Sequence, residues 1–124
     1  MNNSVRSCVI HLAQTRTKIP GPAGERSVIA LHRGTLDVAL GAPLRPPTVQ
    51  TPHEQDEVYI IVRGRGVFFH DGQRDPFEPG DFLFVAAGIE HQFEDTRDDL
   101  LIWRVFYGPK GGDLPVYDAN RNPV

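Results

Sequence analysis

Twelve glycines and eleven prolines are spread evenly through this 124-residue chain, and few stretches between them are long enough for an ordinary helix. Short runs of β-branched and aromatic residues lie between these breaks instead. They predict strands near Val5–Leu12, Ser27–His32, Leu36–Leu40, Thr48–His53, Glu57–Val62, Gly66–His70, Asp81–Val85, Glu90–Glu94 and Leu100–Tyr107. The connections Arg33-Gly34, Arg63-Gly64-Arg65-Gly66 and Asp71-Gly72 have the backbone freedom that tight hairpin turns require. Eight or nine short strands at this spacing indicate an all-β sandwich or small barrel, not a βαβ sheet. The length fits a single domain over 1–124.

Charge and cysteine content exclude several functions. Thirteen Lys+Arg stand against sixteen Asp+Glu, a net charge of −3, and only two of the cations are lysines. No basic face suited to phosphate is expected, and hence no nucleic-acid partner. The lone Cys8 excludes an internal disulfide framework and a cysteine-rich zinc module, and is expected to fill space in the first strand. The longest apolar runs, Val58–Val62 and Phe82–Ala87, are strand-length, far short of the ~18 residues of a membrane helix. The opening Met1-Asn2-Asn3-Ser4 lacks the basic start and apolar centre of a leader, so a soluble cytoplasmic protein without membrane contact is expected.

Two segments are apolar on both strand faces. Glu57–Val62 and Leu100–Tyr107 carry only Glu57 and Arg104 as charged residues, so a second layer should cover their outer side. A strand of the same chain or a second subunit could do this, and a homodimer is expected. The segment Ile19–Gly24 is expected to be a connector or arm, and the tail after Gly108 a surface segment.

Chemistry is most plausible at the histidines. His53 precedes Glu57 by four residues, and Gly80-Asp81 opens a strand followed by Gly88-Ile89-Glu90-His91. Imidazole nitrogen with carboxylate oxygen suits Fe(II), Mn, Ni, Zn or Cu, provided the separate strands lie side by side on one barrel wall. Inward residues would then alternate as Glu57, Tyr59 and Ile61, with His91 and Phe93 on another inward line. A histidine beside a proline also serves as a solvated turn residue, and a glutamate at a strand start as an edge charge. Spacing alone does not choose between these.

The two segments resemble the paired motifs of the cupins, G-x5-H-x-H-x3/4-E-x6-G and G-x5-P-x-G-x2-H-x3-N. Residues about 51–64 follow the first from its second histidine onward, and residues about 80–95 track the second in register; His53, Glu57, Gly64, Gly80, Gly88 and His91 match. The opening glycine falls on Arg45, the proline on Ala86 and the final asparagine on Asp95, and Thr51 stands in place of the first histidine. The resemblance implies a single-domain jelly-roll with an N-terminal arm and a C-terminal tail. It also implies a divalent metal ion (Fe, Mn, Ni or Zn) held by His53, Glu57 and His91. Thr51 would be a hydrogen-bonding neighbour of that ion, since a neutral hydroxyl is a poor ligand beside imidazole. Of the residues that could replace the lost donor, Gln50 and Asp56 alternate out of phase with the site, which leaves Gln55.

A two-histidine, one-carboxylate set leaves coordination positions open for substrate or dioxygen. A metal-dependent enzyme on a small organic molecule follows from the resemblance, with dioxygenase-type chemistry favoured over isomerase, decarboxylase and lyase alternatives. A non-catalytic ligand-binding or sensor protein is the competing expectation. Tyr59 and His70 are candidate pocket residues, although aromatics at period two in a barrel also serve as core. His11 and His32 are expected to be structural, Asp98-Asp99 a solvated turn, and Arg63 and Arg65 solvent-facing. Gly64-Arg65-Gly66 is no dinucleotide fingerprint, because Phe69 takes the third glycine position.

Overall fold

The computed structural model describes residues 5–44, 52–113 and 118–122. A short helix, α1 (Leu12–Arg16), precedes six strands: β1 (Ser27–Arg33), β2 (Leu36–Gly41), β3 (Asp56–His70), β4 (Gln73–Phe77), β5 (Phe82–Val85) and β6 (His91–Tyr107). All pairings are antiparallel, in the order β1-β2-β6-β3-β4, with β5 on the free edge of β3 beside Glu57–Ile60. The architecture is an all-β jelly-roll. Among the described residues no helix is long and apolar enough to cross a membrane.

The spine is the β3·β6 ladder, and its length corrects the sequence reading. Arg63-Gly64-Arg65-Gly66 does not turn the chain, and Asp98-Asp99 does not end a strand. Both lie inside continuous strands as irregularities that shift the register between Ile61 and Val67. Gly64 has φ 101°, and opposite it Asp98 and Asp99 take φ 63° and 52°. Turn-forming residues thus act as bulges, which leave residues unpaired and bend the strand. The bend folds the Asp56–Arg63 half of β3 over its Arg65–His70 half, so that Tyr59 packs on Phe68 and Phe93 with ring centroids 5.9 and 4.9 Å apart. Arg63 and Arg65 face solvent as expected. Asp71-Gly72 is a true hairpin turn, with positive φ at both residues.

Inward residues of both strands form the main core: Tyr59, Ile61, Phe68, Phe93, Leu100 and Ile102, closed by Phe77 and Val85. The outward face of β6 is also covered. Leu101 and Trp103 pack with Leu40, Val28, Ile19 and Leu12, so β1, β2 and the N-terminal arm supply the second layer.

The N-terminus departs from expectation. Val5–Leu12 forms no strand: Val5 and Val9 are exposed, and Leu12 opens α1. Cys8 is therefore exposed and not a strand filler. Of the expected strand Thr48–His53, residues 48–51 lie outside the described residues, while Pro52 and His53 are irregular. Strand β4 was not expected, because its first four positions, Pro76 among them, are exposed and polar or proline; as an edge strand it tolerates the proline.

Asp56, 2% exposed, ties three segments together. One carboxylate oxygen accepts the Ala87 N–H and the other the Asp113 N–H, each at 2.9 Å. Asp56→Ala would strand both donors, and a loss of about 2–3 kcal/mol is expected. That corresponds to a melting temperature lower by roughly 10 °C, measurable by thermal denaturation. An unchanged melt would mean that water replaces the carboxylate without loss.

Candidate metal centre

Glu57 lies on the inward face of β3, paired to Val85 on one side and Phe106 on the other. His53 precedes the strand, and its carbonyl accepts the Gly88 N–H at 2.7 Å. With the Asp56–Ala87 bond, this fastens the β5–β6 loop directly to the His53–Glu57 segment. His91, the first residue of β6, is delivered beside Glu57 in consequence. The three side chains offer ligand atoms all within 4.8 Å of one another. Glu57 Oε1 is 3.0 Å from His91 Nε2 and 3.9 Å from His53 Nε2.

The polarity of the cluster is unusual for a barrel interior. Glu57 and His91 side chains are each 1% exposed. Despite the short approach to His91, neither oxygen of Glu57 receives a well-directed hydrogen bond among the described residues. A buried carboxylate without donors is costly, and buried charges ordinarily pair or coordinate metal. His91 Nδ1 lies 2.9 Å from the Ile89 carbonyl, an acceptor, so the neutral ring carries its proton there and turns the Nε2 lone pair toward Glu57. The donor chemistry fits a divalent cation.

Protonation follows the same geometry. Burial holds His53 below the ordinary histidine value, with Glu57 opposing and His91 and Arg104 assisting. Burial also works against protonated His91, but the Glu57 carboxylate and the Ile89 carbonyl outweigh it and raise its value. Tyr59 is pushed far up, first by burial and then by the charge of Glu57. Its hydroxyl keeps its proton and donates to His91 Nε2 at 3.1 Å.

A cavity of about 250 Å³ opens beside the cluster, with His53, Glu57, Tyr59, Arg26 and Arg104 in its wall. A larger cleft of about 570 Å³ lies by Arg65, Glu78 and Arg97, but Arg65 and Glu78 pair with each other there at the surface, 2.9 Å apart. Size therefore does not mark the site; converging donors do.

The structure gathers His53, Glu57, His91 and Tyr59, and separates His70 from them. His70 faces His91 across the ladder, yet its ring stacks on Phe68 and its Nε2 meets Asp75 at 2.7 Å in a different cavity. Thr51 lies outside the described residues. Gln55 is engaged with the Thr35 and Gly108 carbonyls, so it does not replace the missing donor. Sequence reasoning missed Arg104, whose only visible signal was its place as the charge in an apolar strand. It also missed Arg26, which carried no signal.

Comparison with known proteins bears on the family and the fold. The cupin domain profile matches residues 43–107. An uncharacterized protein of Streptomyces coelicolor is 36% identical over 61 residues, covering 49% of this chain and 58% of that protein. An acireductone dioxygenase of Rhodopseudomonas palustris is 31% identical over 108 residues, covering 77% of this chain and 57% of the enzyme. The chain thus spans little more than half the length of these curated relatives. Among solved structures, a cupin-2 domain containing protein from Shewanella frigidimarina superposes with a TM-score of 0.64 at 16% identity, covering 81% of this chain and 95% of that one.

Proposed function

The chain belongs to the cupin domain family, and from that premise we propose that His53, Glu57 and His91 hold a divalent metal ion in a metal-dependent enzyme acting on a small organic molecule. Dioxygenase-type chemistry is the favoured reaction, on the strength of similarity to relatives named acireductone dioxygenase. The observation that carries the metal reading is the Glu57 carboxylate, buried with both oxygens undonated among the described residues. Fe, Mn, Ni and Zn all accept two imidazoles and a carboxylate.

When bound, the ion would supply Lewis-acid polarisation of a substrate oxygen and, if iron, a redox partner for dioxygen. The residues of the chain do the rest. His53 and His91 present neutral nitrogens, and Glu57 offsets part of the ionic charge. The Ile89 carbonyl fixes the tautomer and tilt of His91. Tyr59 holds a proton at its hydroxyl beside the donors and can direct it at an oxygen of a bound molecule. Phe93 and Ile102 supply the apolar wall that limits water. The exposed Ile60 and Phe82, adjacent across the β3–β5 ladder, support a homodimer.

The test is metal analysis of protein purified without added metal, followed by oxygen uptake over small phenols, thiols and keto acids. About one metal ion per chain and substrate-dependent oxygen consumption are expected. Bound metal with ligand affinity but no turnover would instead establish a binding or sensor protein, and absence of metal would overturn the proposal.

A further inference from the structure

Arg104 is the single charged residue in Leu100–Tyr107, and it points inward. In the ladder it faces Tyr59 on β3 and Ala39 on β2, which places it on the cavity side of the sheet. Its side chain is only 29% exposed. Nη2 donates to Asp37 Oδ1 at 2.9 Å, and the guanidinium lies 4.5 Å over the Phe106 ring, which itself packs edge-on to His53 at 4.6 Å. Nε is buried with no partner among the described residues. The other arginines with side-chain carboxylate partners, Arg63, Arg65 and Arg74, are more than half exposed on the surface.

Two features of Arg104 are left unexplained by its bond to Asp37. A buried donor without an acceptor is costly. A cation placed beside a site that attracts a divalent ion is also repelled when that ion arrives. Arg26, whose Nε is anchored on the Ala42 carbonyl at 2.9 Å, brings a second positive charge to the same wall. Counting Glu57 and Asp37 against Arg26 and Arg104, the formal charge around the cavity is zero before an ion is bound and +2 after. An anionic ligand answers both charge features at once.

We propose that the cavity takes a small carboxylate, with its carboxyl group received by Arg104 and a neighbouring oxygen directed at the ion. The proposal rests on the metal reading above. It makes Arg104 the residue that selects acids over neutral molecules, through the charge-assisted and geometrically directed bonding that guanidinium offers a carboxylate. Asp37 then acts as the group that keeps the fork in orientation while the pocket is empty.

The experiment loads the full-length protein with nickel(II) and compares binding of pyruvate and lactate with that of their uncharged amides by calorimetry. The acids should bind more tightly in the wild type. In Arg104→Gln the acid-to-amide ratio should fall roughly ten- to a hundredfold with bound nickel per chain unchanged. Arg104→Lys should be intermediate, since it keeps the charge and loses the fork. The double variant Asp37→Asn with Arg104→Gln preserves a neutral hydrogen bond at the β2–β6 contact and serves if the single variant does not fold. A nickel-loaded protein whose acid preference is indifferent to residue 104 overturns this inference alone. A protein that takes up no nickel overturns the metal reading and this inference with it.

Discussion

Glu57→Gln is expected to lose its metal and yet to melt at a higher temperature than metal-free wild type. The two effects have one cause. Glu57 is 1% exposed, and its oxygens have no well-directed donor among the described residues. The carboxylate is therefore costly to the metal-free fold, offset only in part by its attraction for protonated His91, and becomes an asset once a cation is bound. An amide of the same shape removes the buried charge, and its N–H₂ can donate to His91 Nε2, 3.0 Å from Oε1 in the wild type. Relief of about 1–3 kcal/mol is the usual scale for removing a buried group left without a donor. Added metal should then stabilise the wild type by about 3 kcal/mol at a hundredfold excess over its dissociation constant, and the variant by almost nothing. Calorimetric melts of both proteins, with chelator and with metal, measure all four quantities. If the metal-free variant melts below the metal-free wild type, Glu57 is a structural partner of His91, and the case for a cation weakens.

Gly64→Ala should be a severely damaging single-methyl substitution in the β3·β6 ladder. A Cβ at this position would lie 2.9 Å from Leu100 Cα and 3.0 Å from the Arg97 carbonyl oxygen. Both are main-chain atoms held by the ladder, so neither can step aside as a flexible side chain could. The φ of 101° adds strain for any residue with a Cβ. Together these give a loss of about 3–5 kcal/mol, a large share of an ordinary domain's stability. In urea the unfolding midpoint should fall by roughly 2 M. Gly72→Ala is the control: its φ is 76°, but a Cβ there meets nothing within 4 Å, so a cost near 1 kcal/mol is expected. Equal losses in the two variants would show that dihedral strain alone, not the close approach of β3 to β6, governs Gly64.

The His53, Glu57 and His91 cluster was legible in the sequence because its residues sit in fixed spacings. His53 and Glu57 bracket the start of one strand, and Gly80, Gly88 and His91 space out the loop that fastens to it. Alternation correctly put Glu57, Tyr59 and Ile61 on one face, and ruled out Asp56 as a donor. What escaped was set by distant parts of the chain. The inward place of Arg104 depends on its register against Ala39 and Tyr59, which no local pattern encodes. The continuity of β3 and β6 was hidden because glycine and aspartate look the same in a turn and in a bulge. Val5–Leu12 has strand-forming residues, yet it stays unpaired beside the outer edge of β1, and tertiary context overrode propensity. Residues 73–77 have the reverse problem: only Phe77 is buried, so the pairing with β3 leaves almost no hydrophobic trace.

Asp37 sits on β2, which contributes no donor atom to the His53, Glu57 and His91 cluster, and Arg104 lies at the opposite end of β6 from His91. On the proposed reading, selection of a guest molecule and retention of an ion are therefore separable traits. The β1–β2 hairpin, which holds Asp37, can vary in length and sequence to admit new guests while the ion's own grip stays as it was. A small barrel of this kind is well placed to change its diet without reinventing its chemistry.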